Sequence, residues 1–238
     1  MFDQALFDQI VFDGQVIEEV TQKSVSDSGV GTDVVAIKGT IPVADSGAGV
    51  ETIGIKEAVN IVESKFKKAL SFDGVDDYVN CGDLSIAESK KFSYAAWIKT
   101  TQTGNDKWIV SEGNNTDTIP ISGLVNQNGV TRAYFRNNAR GAVDISGTKT
   151  INDGNWHFLV STADGNTLRI YTDGELENSG PLPTGDISLT TAAIGALIRA
   201  TVSCFVKGLI DEVRIYNRAL SAEEIKEHYS LSKRNLKF

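Results

Sequence analysis

The chain has 238 residues, enough for one large or two modest domains with a real hydrophobic core. An apolar fraction of 41% argues against a disordered chain, and a formal charge of −8 argues against nucleic acid and anionic membrane as partners. No run of about 18 apolar residues occurs, so no membrane insertion is expected.

The opening, Met1 to Ile10, has neither a basic region nor an apolar stretch of the Sec type. This predicts an intracellular protein, or one that reaches the outside by another route such as assembly into a particle. Phe-Asp recurs at positions 2, 7 and 12, which matches neither helix nor strand periodicity and suggests an extended arm whose phenylalanines dock into a partner. A second repeat follows: Ser24–Lys38 aligns with Pro42–Lys56, each with an Asp-Ser-Gly-x-Gly turn between β-rich runs, and Asn60–Ser64 begins a truncated third copy. Each unit reads as a hairpin. Ile55, Val59, Val62 and Phe66 would also share a helical face, but the repeat and the β-branched content favour strand. Hairpins this small need something to pack on, so residues 1–66 are expected to be a β-repeat arm that attaches to protein partners or drives homo-oligomerisation.

From about residue 67 the pattern changes. Short strands are predicted at 69–80, 92–100, 107–111, 119–126, 130–137, 156–163, 167–173, 191–197 and 204–216. Asn128-Gly, Asp153-Gly, Asp164-Gly and Asp173-Gly turns punctuate them. In the last strand Leu209, Asp211, Val213 and Ile215 alternate with Ile210, Glu212, Arg214 and Tyr216. Ser221 and Glu224 then form a capping box that opens a helix. The fold expected for 67–238 is all-β, an antiparallel two-sheet jelly-roll sandwich with a short C-terminal helix.

Four motifs in order carry a resemblance: Ala69-Leu-Ser-Phe-Asp-Gly-Val-Asp-Asp-Tyr-Val79, Phe92-Ser-Tyr-Ala-Ala-Trp-Ile98, Gly154-Asn-Trp-His-Phe-Leu-Val160 with Leu168–Gly174, and Lys207–Ile225. Together they resemble the laminin-G-like domains of the concanavalin A-like lectin/glucanase superfamily, over about residues 68–230. The resemblance implies a structural calcium between the first and last strands, on Asp73, Gly74 and Asp211, with Asp76 or Asp77 completing the shell. Calcium takes such mixed carboxylate and carbonyl sets; the other reading makes Asp73 and Asp211 turn and edge residues bonded to backbone amides. If Asp73 faces Asp211 across a ladder, the same register brings Cys81 within one position of Cys204. The pair is then either a disulfide or two reduced, buried thiols. Trp97 and Trp156 match family positions that pack in the core.

Catalytic patterns are missing. Relatives that cleave glucans alternate carboxylates along one strand so that acid and nucleophile face the sugar together. Here Glu175-Leu-Glu177 lacks the central acid, and Glu223, Glu224 and Glu227 fall on the terminal helix. His157 and His228 sit in no nucleophile motif. No enzyme activity is expected. For binding, strand 130–137 puts Arg132, Tyr134 and Arg136 on one side and Ala133 and Phe135 on the other. An aromatic ring between guanidiniums suits a sugar, particularly a sulfated or carboxylated one. Trp108 and the loop 113–117 are candidates for its rim. The sequence thus predicts a non-catalytic glycan-binding or adhesion module. Its arm resembles repetitive attachment segments of virion or surface proteins, so an extracellular or virion-surface setting is expected. A purely structural decoration protein is the alternative reading, and a glycoside hydrolase a weaker one.

Overall fold

The structure is a computed structural model that describes residues 67–116 and 119–234 together with the short segments 11–12, 15–16, 54–56 and 60–64. Its elements in chain order are β1 (Val11–Phe12), β2 (Gln15–Val16), β3 (Gly54–Lys56), β4 (Asn60–Ser64), β5 (Lys67–Asp73) and β6 (Tyr78–Gly82), then a 3-10 turn at Ile86–Ser89. There follow β7 (Lys91–Lys99), β8 (Lys107–Gly113), β9 (Ile121–Gln127), β10 (Val130–Arg136), β11 (Ala142–Thr150) and β12 (Trp156–Asp164). The chain continues through β13 (Thr167–Thr172), β14 (Glu175–Pro181), β15 (Thr191–Ile194), β16 (Leu197–Ile198), β17 (Val202–Ser203), β18 (Lys207–Tyr216) and the helix α1 (Ala222–Arg234).

Two sheets face each other. One runs β14-β13-β12-β7-β18, extended by β5 and β4 beside the first half of β18 and by β1 and β2 beside its second half. The other runs β11-β10-β9-β8-β15-β6-β3. Apart from the parallel β1–β18 contact, the pairings within the sheets are antiparallel. The jelly-roll sandwich expected from the sequence is present, with its single terminal helix. Residues 54–56 and 60–64 are strands, as the repeat favoured, and pair with β6 and β5. The repeats at 24–38 and 42–53, and the first two Phe-Asp pairs, lie outside the described residues.

The core explains the central strands. In β7, Phe92, Tyr94, Ala96 and Ile98 point between the sheets, while Ala95 and Trp97 point outward beneath α1. The strand therefore reads as a nearly continuous apolar run, as strands covered on both faces do. The outer layer consists of Trp97, Phe158, Val160, Tyr171, Tyr216 and Leu220, closed by Ile225 and Tyr229 of α1. Tyr229 stacks on Trp97 with ring centroids 5.8 Å apart. The capping box is made: Glu224 N–H donates to Ser221 Oγ (3.2 Å), and Ser221 N–H donates to Glu224 Oε2 (2.8 Å).

Five details of the predicted pattern change. The strand expected at 69–80 is two strands in different sheets, because the turn Asp73–Asp77, with Gly74 at φ +85, carries the chain across. The terminal strand does not alternate strictly. A β-bulge between Asp211 and Arg214, with Glu212 at φ 49, shifts the phase so that Ile210, Val213 and Ile215 share the core. Asp73 faces Lys207, not Asp211. Cys81, on β6, pairs through β15 and β3 and not through the β5–β18 ladder, so that register cannot carry it to Cys204; both thiols are free. Finally, β11 and β14, absent from the predicted elements, form the outer edge of each sheet. Both are short of buried residues, so little apolar alternation marks them.

Candidate functional site

The outer face of β8–β11 carries the predicted platform. Side chains alternate along β10: Ala133 and Phe135 enter the core, while Arg132, Tyr134 and Arg136 stand outside, half-buried. Directly opposite Tyr134 lies Gly123 on β9. A Cβ there would come within 2.7 Å of the Trp108 ring and 2.4 Å of the Val110 carbonyl, so glycine makes the space into which the indole lies. Trp108 meets Tyr134 edge-on, with centroids 6.3 Å apart and planes at 83°. Trp108 itself is buried with Ile121, Val125 and Leu197, and its backbone N–H donates to the Cys204 carbonyl (3.2 Å). It is the floor beneath the face and not part of a rim.

The guanidiniums flank the ring as expected, with Arg132 Cζ 4.8 Å and Arg136 Cζ 5.8 Å from its centroid. Neither is an open cation. Arg132 binds Asp144 through both Nε (2.6 Å) and Nη2 (2.8 Å), and it donates to Asp106 through Nη1. Burial would weaken its proton affinity, but these two carboxylates more than offset that and hold it firmly charged. Arg136 Nε donates to the Ile119 carbonyl. The carboxylates project further than the cation between them: side-chain exposure is 12% for Arg132 but 50% for Asp106 and 51% for Asp144. Asp144 was missed in the sequence because β11 was missed, and the register Tyr134↔Asp144 puts it on this face; Asp106 comes from the loop before β8.

The acidic turn is the second predicted site. Asp73, Asp76 and Asp77 bring carboxylate oxygens within 4.8 Å of one another, a span that fits a hard cation with six to eight oxygen ligands. Asp77 is buried and accepts Asp73 N–H (2.8 Å), while Asp73 Oδ1 accepts Val75 N–H (2.7 Å). A Cβ on Gly74 would lie 2.8 Å from Lys207 Cβ, which keeps the turn pressed to the start of β18. Asp211 is not brought to this group. It pairs with Trp97 across from β7, four positions along β18 from the residue that faces Asp73, and its Oδ1 accepts Glu212 N–H.

Two further charged groups sit apart from these. Glu112, on β8, is fully buried and accepts from Ile86 N–H (2.8 Å), Ala87 N–H (2.9 Å) and the Tyr94 hydroxyl. Burial pushes its pKa up to about 6. His157 lies between Asp173 (Nδ1, 2.9 Å) and Asp153 (Nε2, 3.1 Å), and Lys149 Nζ reaches Asp173 at 2.6 Å. Ionised carboxylates only accept, so this geometry favours the imidazolium, and the His157 pKa is raised chiefly by the bond to Asp173. Glu177 accepts from Lys149 N–H (3.1 Å) and the Thr172 hydroxyl (3.2 Å), and Glu175 pairs loosely with Lys226.

This is a lectin-like jelly roll by architecture. Residues 73–226, more than half of the chain, match the family model of a laminin-G domain described as concanavalin A-like lectin/glucanases superfamily, and the chain belongs to that family. No curated protein sequence matches it. Solved structures with similar folds include domain 4 of AbnA, a GH43 extracellular arabinanase from Geobacillus stearothermophilus, in complex with arabinotriose; identity is 23% and TM-score 0.56, covering 74% of this chain and 81% of that one. The Ruminococcus gnavus IT-sialidase CBM40 bound to α2,3-sialyllactose aligns at 17% identity and TM-score 0.57, over 68% and 95%. The binding domain of Paraclostridial Mosquitocidal Protein 1 aligns at 16% identity and TM-score 0.58, over 76% of this chain and 47% of that one, so this chain spans about half its length. At these identities the likeness establishes the fold. Among the described residues no helix is long and apolar enough to cross a membrane.

Proposed function

We propose that this protein is a non-catalytic carbohydrate-recognition module and that the glycan docks on the outer face of β8–β11 around Tyr134. The observation that carries the reading is the half-buried Tyr134 ring on the outer sheet face, buttressed by Trp108 and bordered by half-exposed carboxylates that can accept from sugar hydroxyls. Family membership supports it, as do neighbours of the same fold solved with arabinotriose and sialyllactose. Catalysis is disfavoured by where the acids are. Glu112 is sealed in the core, and Glu177 is engaged by Lys149 N–H and Thr172.

The acidic turn is the place for a structural calcium, held by Asp73, Asp76 and Asp77. Residues 1–66 serve as the attachment and oligomerisation arm, and the setting is an extracellular or virion surface; the regular Phe-Asp and Asp-Ser-Gly repeats support this. A glycan array probed with the full chain, in calcium and in EDTA, tests the central claim. Binding that is lost in Tyr134→Ala supports it; no binding by the folded protein overturns it in favour of a structural decoration protein.

A further inference from the structure

The charge arrangement around Tyr134 bears on which sugars the face accepts. From the sequence, two arginines beside an aromatic ring suggest an anionic ligand. The geometry points the other way. Arg132 is the least exposed member of its cluster, and Asp144 grips it at two nitrogens while Asp106 takes a third. The half-exposed groups are the carboxylates. An incoming sulfate or carboxylate therefore meets two like charges first, and like-charge contact at an interface is strongly unfavourable. To reach the Arg132 guanidinium it would have to break a bidentate, charge-assisted pair. Neutral sugars face no such obstacle. A hydroxyl can donate to an outward carboxylate oxygen and leave the ion pair intact.

We infer that the Tyr134 face selects neutral oligosaccharides and excludes sialylated and sulfated ones, with Asp106 and Asp144 as the discriminating residues. This rests on the glycan-binding reading above. The remaining arginine of the strand, Arg136, is turned to the Ile119 carbonyl at the far end of β10 and leaves the Arg132 end governed by the two acids. Binding of a neutral ligand is also nearly independent of ionic strength, because no charge is neutralised when it docks.

The test is a titration of the full chain against neutral oligosaccharides (arabinotriose and lactose) and acidic ones (α2,3-sialyllactose and 3′-sulfolactose), at low and high salt. The same titrations are run on Tyr134→Ala, Asp144→Asn and Asp106→Asn, with circular dichroism to show that each variant is folded. The expected result is binding of a neutral sugar, lost in Tyr134→Ala, insensitive to salt, and at least about tenfold tighter than the acidic partner. Asp144→Asn or Asp106→Asn should narrow that gap by strengthening the acidic ligand. Equal or tighter binding of the acidic sugars through Tyr134, weakened by salt, overturns the selectivity and leaves the glycan site standing. Binding untouched by Tyr134→Ala, or no binding of any of these sugars, removes both the site and the inference.

Discussion

Tyr94 and Glu112 join the two sheets from within: the Tyr94 hydroxyl on β7 donates to the Glu112 carboxylate on β8, and both side chains are fully buried. Two amides at the start of the 3-10 turn complete the carboxylate's partners. Burial outweighs these bonds and lifts the Glu112 pKa from 4.5 to about 6. The folded state therefore holds this proton more tightly than the unfolded one. Its contribution to stability is complete below pH 4.5 and is lost as the pH rises through about 6, a change of about 2 kcal/mol. Glu112→Gln has no such proton. Chemical denaturation at pH 4.5 and 7 should show the difference between wild type and Glu112→Gln changing by about that amount; a constant difference would refute the assignment. Tyr94→Phe should cost about 2 kcal/mol, a fall in Tm of roughly 4 to 8 °C.

His157 gives the same kind of dependence in a higher window. Held between Asp173 and Asp153, it has a pKa raised above its ordinary 6.5. The stability it adds is present below pH 6.5 and disappears as the pH passes its folded value. Histidine ring resonances followed by NMR should titrate later for His157 than for His228, whose pKa is lowered by burial and by Arg214. The reverse order would sink the ion-pair reading.

Gly123→Ala tests the construction of the proposed binding face. The new methyl would meet the Val110 carbonyl and the Trp108 ring. Overpacking of this kind costs about 1–3 kcal/mol, and the displaced indole should take Tyr134 with it. A loss of stability together with weakened sugar binding is expected. Unchanged affinity at lower Tm would separate the floor from the face.

The helix cap is worth about 1 kcal/mol, so Ser221→Ala should lower Tm by roughly 2 to 4 °C. Tyr229→Ala should cost more, because that ring covers both Trp97 and Phe158. Tryptophan fluorescence in the two variants distinguishes fraying of the first turn from exposure of the outer layer.

Calcium should raise Tm and EDTA should reverse the rise. The gain should vanish in Asp77→Asn but survive in Asp211→Asn, since Asp211 lies off the turn. A gain that depends on Asp211 would restore a shared site between the first and last strands.

The sequence made the architecture legible where packing imposes a period. Along β10 the alternation of Ala133 and Phe135 with Arg132, Tyr134 and Arg136 places every side chain on its observed face. It failed where the backbone steps out of phase. Nothing in Ile210–Ile215 announces that Glu212 adopts a left-handed conformation, and that one residue moves Asp211 out of register with the pattern. On the outer face of β10 the aromatic and the arginines were visible, but their charge partners were not. Asp144 reaches Arg132 from an edge strand and Asp106 from a loop, so strand register reveals the first and only the folded loop the second. Glu112 did leave a trace: it is an acid ending an apolar strand, Trp108-Ile-Val-Ser-Glu112.

The two cysteines differ in a way that turns one of them into an experimental handle. Burial, together with the Glu112 charge, pushes the Cys81 thiol up to about 12, so a thiol reagent at neutral pH passes it by. Cys204 is partly exposed and packs against the buried cluster of Trp108. A single environment-sensitive dye could thus be attached to the native chain near the floor of the proposed sugar-binding face, where it would report occupancy in real time without any engineered residue.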